Sequence, residues 1–82
     1  MVYNNRGSAY DDSGKEEQAL SDFNKAISLD PGYDAPYFNR SFIYERRQEY
    51  AKAIADMQKA VTLDPADENH KLRLEWLREQ AR

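Results

Sequence analysis

The chain contains no cysteine. Disulfide bonds and thiol catalysis are therefore excluded, although the compartment is left open by that absence. No apolar run approaches the ~20 residues that a membrane-spanning helix needs, and no signal-peptide pattern opens the sequence. Membrane insertion is thus not expected, and the cytoplasm is the default location unless a targeting segment lies outside the chain. There is no basic surplus: 12 Lys and Arg stand against 15 Asp and Glu, a net charge of −3. Nucleic-acid binding, which draws on excess positive charge, is not expected either, and Arg46-Arg47 is too short a run to change that.

The residues of catalysis are also scarce. His70 is the single histidine. Nothing stands at metal-ligand spacing from it, so it reads as a surface or capping histidine. No glycine-rich phosphate loop and no Ser/His/Asp set can be assembled. The carboxylates Asp11, Asp12, Glu16 and Glu17 read as a solvated acidic edge. The sequence thus points away from an enzyme, and no cofactor or metal is expected.

What is present is a chain of 82 residues, 33% charged and 40% apolar. That suffices for one small domain with a thin core. Charge is graded along it: −4 over residues 1–34, −1 over 35–68 and +2 over 69–82. Such a gradient would favour a partner with its own polarity, or head-to-tail stacking, but a solvated surface of no special meaning is the better reading.

The sequence repeats itself. "YNNRGSAY" begins at Tyr3 and "YFNRSFIY" at Tyr37, a shift of 34 residues. At that shift, 11 of the 29 pairs between residues 3–31 and 37–65 are identical, where ordinary composition would give about two. A fixed period of this length means an array of supersecondary units. Ala19, Leu20, Phe23, Ala26 and Ile27 recur as Ala53, Ile54, Met57, Ala60 and Val61, the apolar face of a helix. Asp30-Pro31 and Asp64-Pro65 end these helices, because a residue before proline leaves the helical region. Tyr3, Gly7 and Tyr10 mark a face of an earlier helix, which Ser13-Gly14 breaks. The pattern predicts helices near 2–13, 16–29, 35–47, 50–63 and 67–81.

These residues resemble the tetratricopeptide repeat, whose 34-residue pattern reads W-x2-L-G-x2-Y, then A-x3-F, then P. The first unit reads Tyr3-x2-Arg6-Gly7-x2-Tyr10, Ala19-x3-Phe23, Pro31. The second reads Tyr37-x2-Arg40-Ser41-x2-Tyr44, Ala53-x3-Met57, Pro65. Arg6 and Arg40 depart from the pattern's leucine, Ser41 from its glycine, and Gln48 stands where the first unit has Gly14. The resemblance implies an all-α fold: an α-α superhelix, a right-handed solenoid of antiparallel hairpins with five helices. It is read as a single domain over 1–82, with repeat one at 1–34, repeat two at 35–68 and a capping helix at 67–82. A repeat that starts almost at Met1 suggests a segment of a longer array.

Charged residues in a helix–helix seam need partners. Asp22 and Asp56 recur with Arg6 and Arg40, so the pairs Arg6–Asp22 and Arg40–Asp56 are expected. Asn5 and Asn39 lie off the apolar side of their helices, and Arg73 stands one period beyond Asn39. In the resembled family this position points into a concave groove and contacts a ligand. A line of Asn, Asn and Arg looks like part of a clamp for a peptide carboxylate, but the lysines it also requires are replaced by Met1 and Asn69. The same spacing adds Asn4, Ser8, Asp11 and Asp12 from the first helix and Phe38, Phe42, Glu45 and Arg46 from the third. Leu72, Trp76, Glu79 and Gln80 come from the last helix. Phe38–Phe42 and Leu72–Trp76 are i, i+4 stripes. His70, Leu74, Leu77 and Ala81 suit packing on helix 50–63, which leaves Leu72 and Trp76 either exposed as a contact surface or rolled into the monomer.

The expected function is binding of a peptide or helix of a partner protein in the groove. The alternative is a homo-oligomer through Phe38, Phe42, Leu72 and Trp76, or a helix-swapped dimer if residues 35–63 ran as one helix.

Overall fold

Each apolar stripe becomes one helix of a hairpin. The computed structural model describes all 82 residues. It has five helices: α1 (Val2–Asp12), α2 (Glu16–Leu29), α3 (Ala35–Arg46), α4 (Tyr50–Leu63) and α5 (Glu68–Gln80). All five fall within two residues of the predicted spans. The fold is all-α, with packed helical hairpins of the expected solenoid type. α1 packs on α2, α3 on α4, and α5 closes against α4. No helix is long and apolar enough to cross a membrane.

The breaks between helices have local causes. Asp30 and Asp64 leave the helix with φ of −146° and −137°, as the following prolines require. Within each hairpin the turn closes the same way: Lys15 N–H donates to Tyr10 O at 2.8 Å, and Glu49 N–H to Tyr44 O at 2.9 Å. This closure places one residue in the left-handed region. In the first hairpin that residue is Gly14, at φ 77°. In the second it is Gln48, at φ 60°. α3 therefore ends at Arg46 and α4 begins at Tyr50, although no glycine eases the turn. Asp67 caps α5 by accepting from the backbone N–H of Asn69 at 2.9 Å and His70 at 3.3 Å.

The repeated Tyr-x2-Arg-x3-Tyr pattern is a stack. Arg6 lies 5.5 Å from the Tyr3 ring centre and 5.8 Å from that of Tyr10. Arg40 lies 5.9 Å from Tyr37 and 5.7 Å from Tyr44. From between its rings, each guanidinium forks onto the carboxylate of the next helix: Arg6 to Asp22 at 2.7 Å twice, Arg40 to Asp56 at 2.8 and 2.7 Å. The bidentate bonds hold the Asp22 carboxyl below its ordinary range and raise Arg6. Both expected pairs are formed. Arg40 also donates to Asn24 at 2.7 Å, tying the second hairpin to the first.

The core falls into two clusters that cross between the hairpins. Ala19, Phe23 and Ile43 form one cluster, with Tyr10 and Leu20 against it. Tyr37, Ala53, Met57, Ala60, Leu74 and Leu77 form the other. Gly7 allows α1 to lie directly on Phe23: a Cβ there would fall 2.7 Å from the ring. The matching residue Ser41 is buried and donates its hydroxyl to Phe38 O at 2.6 Å.

His70 corrects an expectation. It is buried, not a surface residue. Its Nε2 lies 2.8 Å from Asp34 Oδ2 and its ring 4.6 Å from that of Phe38. α5 is thereby tied to the start of α3. Leu74 and Leu77 are buried beside it as expected, whereas Ala81 lies exposed beyond the helix.

Candidate functional site

α1, α3 and α5 form one layer, and α2 and α4 back it. Side chains link the layer directly. Asn39 donates to Asn4 Oδ1 at 3.0 Å, Arg46 pairs with Asp11, and Arg73 pairs with Glu45. Between α3 and α5 runs an open groove of about 590 Å³, lined by Phe38, Phe42, Asn69, Leu72, Arg73 and Trp76. Both apolar stripes thus lie in the walls of one groove.

The stripes owe their place to α5. That helix buries His70, Leu74 and Leu77 on one side, which turns Leu72 and Trp76 to the other. Leu72 is 61% exposed and Trp76 42% exposed. Phe38 and Phe42 meet edge to face at 4.9 Å and 89°. Arg73 binds the two walls together. Its guanidinium lies 4.3 Å from the Trp76 ring centre and 5.0 Å from that of Phe42, while Glu45 fixes its end.

The polar candidates are spread along the same layer. Asn4 is buried and bonded to Asn39, which is half-buried. Asn5 is exposed, with no side-chain bond. Ser8 is half-buried and Asp12 exposed. Arg46 lies at the turn end of α3, where it pairs with Asp11 and Glu16. The groove itself gathers Phe38, Phe42, Leu72, Arg73 and Trp76, while Asn4, Asn5, Ser8, Asp12, Asn39 and Arg46 lie outside its lining.

The acidic edge at the first turn is more than solvated surface. Arg46 and Arg47 reach across from the second hairpin to Asp11, Glu16 and Glu17. Bonds from Arg47 and then Arg46 hold the Glu16 carboxyl below its ordinary range. Sequence reasoning missed this clasp because its partners lie 30 to 35 residues apart and share no motif.

One cluster has the donor set of a cation site. Ligand atoms of Asp34, Asp64 and His70 lie within 4.8 Å of one another. The spacing in sequence concealed it, since the loops before α3 and after α4 bring the aspartates to His70. The imidazole is already committed there: Nε2 bonds Asp34, and Nδ1 is buried without a partner. Binding a metal through Nε2 would leave a buried, unpaired Nδ1–H, so the geometry suits a structural hydrogen bond better.

Comparison with known families agrees with the architecture. Two tetratricopeptide-repeat family models match, over residues 1–33 and 35–67. Helical hairpins of this period and packing belong to the α-solenoid class of interaction domains. The chain is a member of the tetratricopeptide-repeat family, whose repeats are non-catalytic and generally mediate protein–protein interaction. No curated protein matches the chain in sequence.

Proposed function

We propose that the chain binds a segment of another protein along the face of α1, α3 and α5, with the α3–α5 groove as its anchor point. One observation carries the reading. α5 buries a complete face against α4, yet leaves Leu72 and Trp76 exposed in a groove floored by two more aromatic rings. An exposed aromatic groove with a polar rim is the usual form of a recognition hot spot. Phe38, Phe42, Leu72 and Trp76 supply the apolar contact. Asn5, Ser8, Asp12 and Asn39 continue the surface as its polar part, with Asn4 buried behind Asn39 and Arg46 held by Asp11 and Glu16. Arg73 keeps the two walls in register and shapes the groove before any ligand arrives, which lowers the cost of ordering it.

Selection from a random peptide display library tests this. Binders should be recovered with the wild-type chain and lost with Phe42→Ala, while Lys59→Ala, on the exposed side of α4 and without a side-chain partner, should retain them. Binders that survive Phe42→Ala and Trp76→Ala together would place recognition elsewhere.

A specific observation favours a second reading, the helix-swapped dimer. Gln48 holds a left-handed backbone angle that only glycine adopts freely. Straightening the turn would join α3 to α4 and release that strain. Light scattering would show it as a dimer that the Gln48→Gly variant shifts to monomer.

A further inference from the structure

The positions 11, 45 and 79 are spaced by 34 residues, and all three are acidic: Asp11, Glu45 and Glu79. The structure treats them unequally. Arg46 on α3 meets Asp11, and Arg73 on α5 meets Glu45. Glu79 is exposed, and its carboxylate has neither a hydrogen bond nor an ion pair. Both arginines of this face are therefore held by internal carboxylates, with Arg73 Nε alone left unpartnered, and the carboxylate beyond them is unmatched.

Glu79 lies beside the groove. It follows Trp76 by three residues and Leu72 by seven on α5, so the three share one side of the helix. At the other end of the same face Asp12 is also exposed and unpaired. The face thus offers an apolar groove with open carboxylates along its edge, and the nearest unpaired cation, Arg82, lies beyond the end of α5.

We infer that the segment taken by this groove is apolar and basic, with a lysine or arginine placed to meet Glu79. The inference rests on the groove reading above and adds the chemistry of the ligand. Apolar side chains of the segment cover Leu72 and Trp76, while its cation meets Glu79 over the edge of the indole. An acidic segment, or a free C-terminal carboxylate, would face Glu79 and would have to draw Arg73 away from Glu45 and both rings. A second copy of the chain is a poor occupant for the same reason: it brings a net charge of −3 and the same acidic edge.

Trp76 is the only tryptophan, so its emission reports on the groove alone. The probes are two short peptides blocked at both ends, each with leucine at every third or fourth position. One carries lysine between the leucines and the other glutamate. Titration into the full chain should shift Trp76 emission with the leucine–lysine peptide at an affinity about tenfold above that of the leucine–glutamate peptide. The preference should fall with added salt and shrink several-fold in Glu79→Gln, a change that circular dichroism should show to leave the fold intact. Equal affinity for both peptides would overturn the charge inference and leave the groove standing, as would preference for the glutamate peptide. Failure of both peptides to bind, or loss of Trp76 exposure through self-association, would overturn the groove reading with it.

Discussion

Gly7→Ala is the most searching test of how the first hairpin is packed. A Cβ at position 7 would lie 2.7 Å from Phe23 Cε1, 2.9 Å from Cδ1 and 3.2 Å from Asp22 Cβ. Carbon atoms prefer separations of about 3.5–4.0 Å. Phe23 is fully buried and has no space to move into, so α1 and α2 must part by up to about an ångström. Overpacking of this kind costs about 1–3 kcal/mol. Alanine's better helix propensity returns about 0.5–1 kcal/mol. The expected net loss is about 1–2 kcal/mol, and thermal unfolding should report it as a fall of roughly 5–15 °C in Tm. The second repeat shows how the clash is avoided. At the matching positions it has Ser41 and Met57, a larger residue facing a more flexible one. Gly7→Ser combined with Phe23→Met should therefore recover most of what Gly7→Ser alone loses. Unchanged or higher stability in Gly7→Ala, or no recovery in the double variant, would refute the packing argument.

Three further outcomes follow from the same geometry. Asp56→Asn should cost about 2 kcal/mol by urea unfolding, and more than Asp22→Asn, because Arg40 is 19% exposed where Arg6 is 54% exposed. Gln48→Gly should raise Tm by roughly 4–8 °C, since about 1 kcal/mol of backbone strain is relieved. Stability should also fall in acid: the folded carboxyls of Asp22 and Glu16 bind protons less readily than in the unfolded chain. Their contribution is full above about pH 4, the unfolded range, and is lost as pH drops through their lowered folded values. Urea midpoints measured down to acid pH should show this decline, and Asp22→Asn combined with Glu16→Gln should flatten it.

Much of the architecture was legible because it repeats. The 34-residue period, the Asp-Pro stops and the alanine-rich faces locate the first four helices, the family resemblance supplies the fifth, and the recurrence of arginine with aspartate identifies both internal pairs. Gln48 shows what the period leaves out, since the turn forms without its glycine and takes on strain to do so. The site was legible only in part. The helical spacing of Phe38, Phe42, Leu72 and Trp76 marks a common surface, and the structure brings all four to one groove. The commitment of Arg73 to Glu45 could not be read, because it depends on the angle at which α5 docks. His70 misled for a related reason: its partner Asp34 belongs to a loop 36 residues earlier, and no local pattern links them.

The central claim is that the face of α1, α3 and α5 recognises a partner segment. Backbone amide NMR shifts, followed while a library-selected peptide is added to the full chain, test it most directly. The account predicts that the largest shifts fall at Phe38, Phe42, Leu72 and Trp76, extending toward Ser8 and Asn39, while Lys25 and Lys59 on the backing helices stay still. Shifts concentrated on α2 and α4, with the groove unmoved, would contradict it.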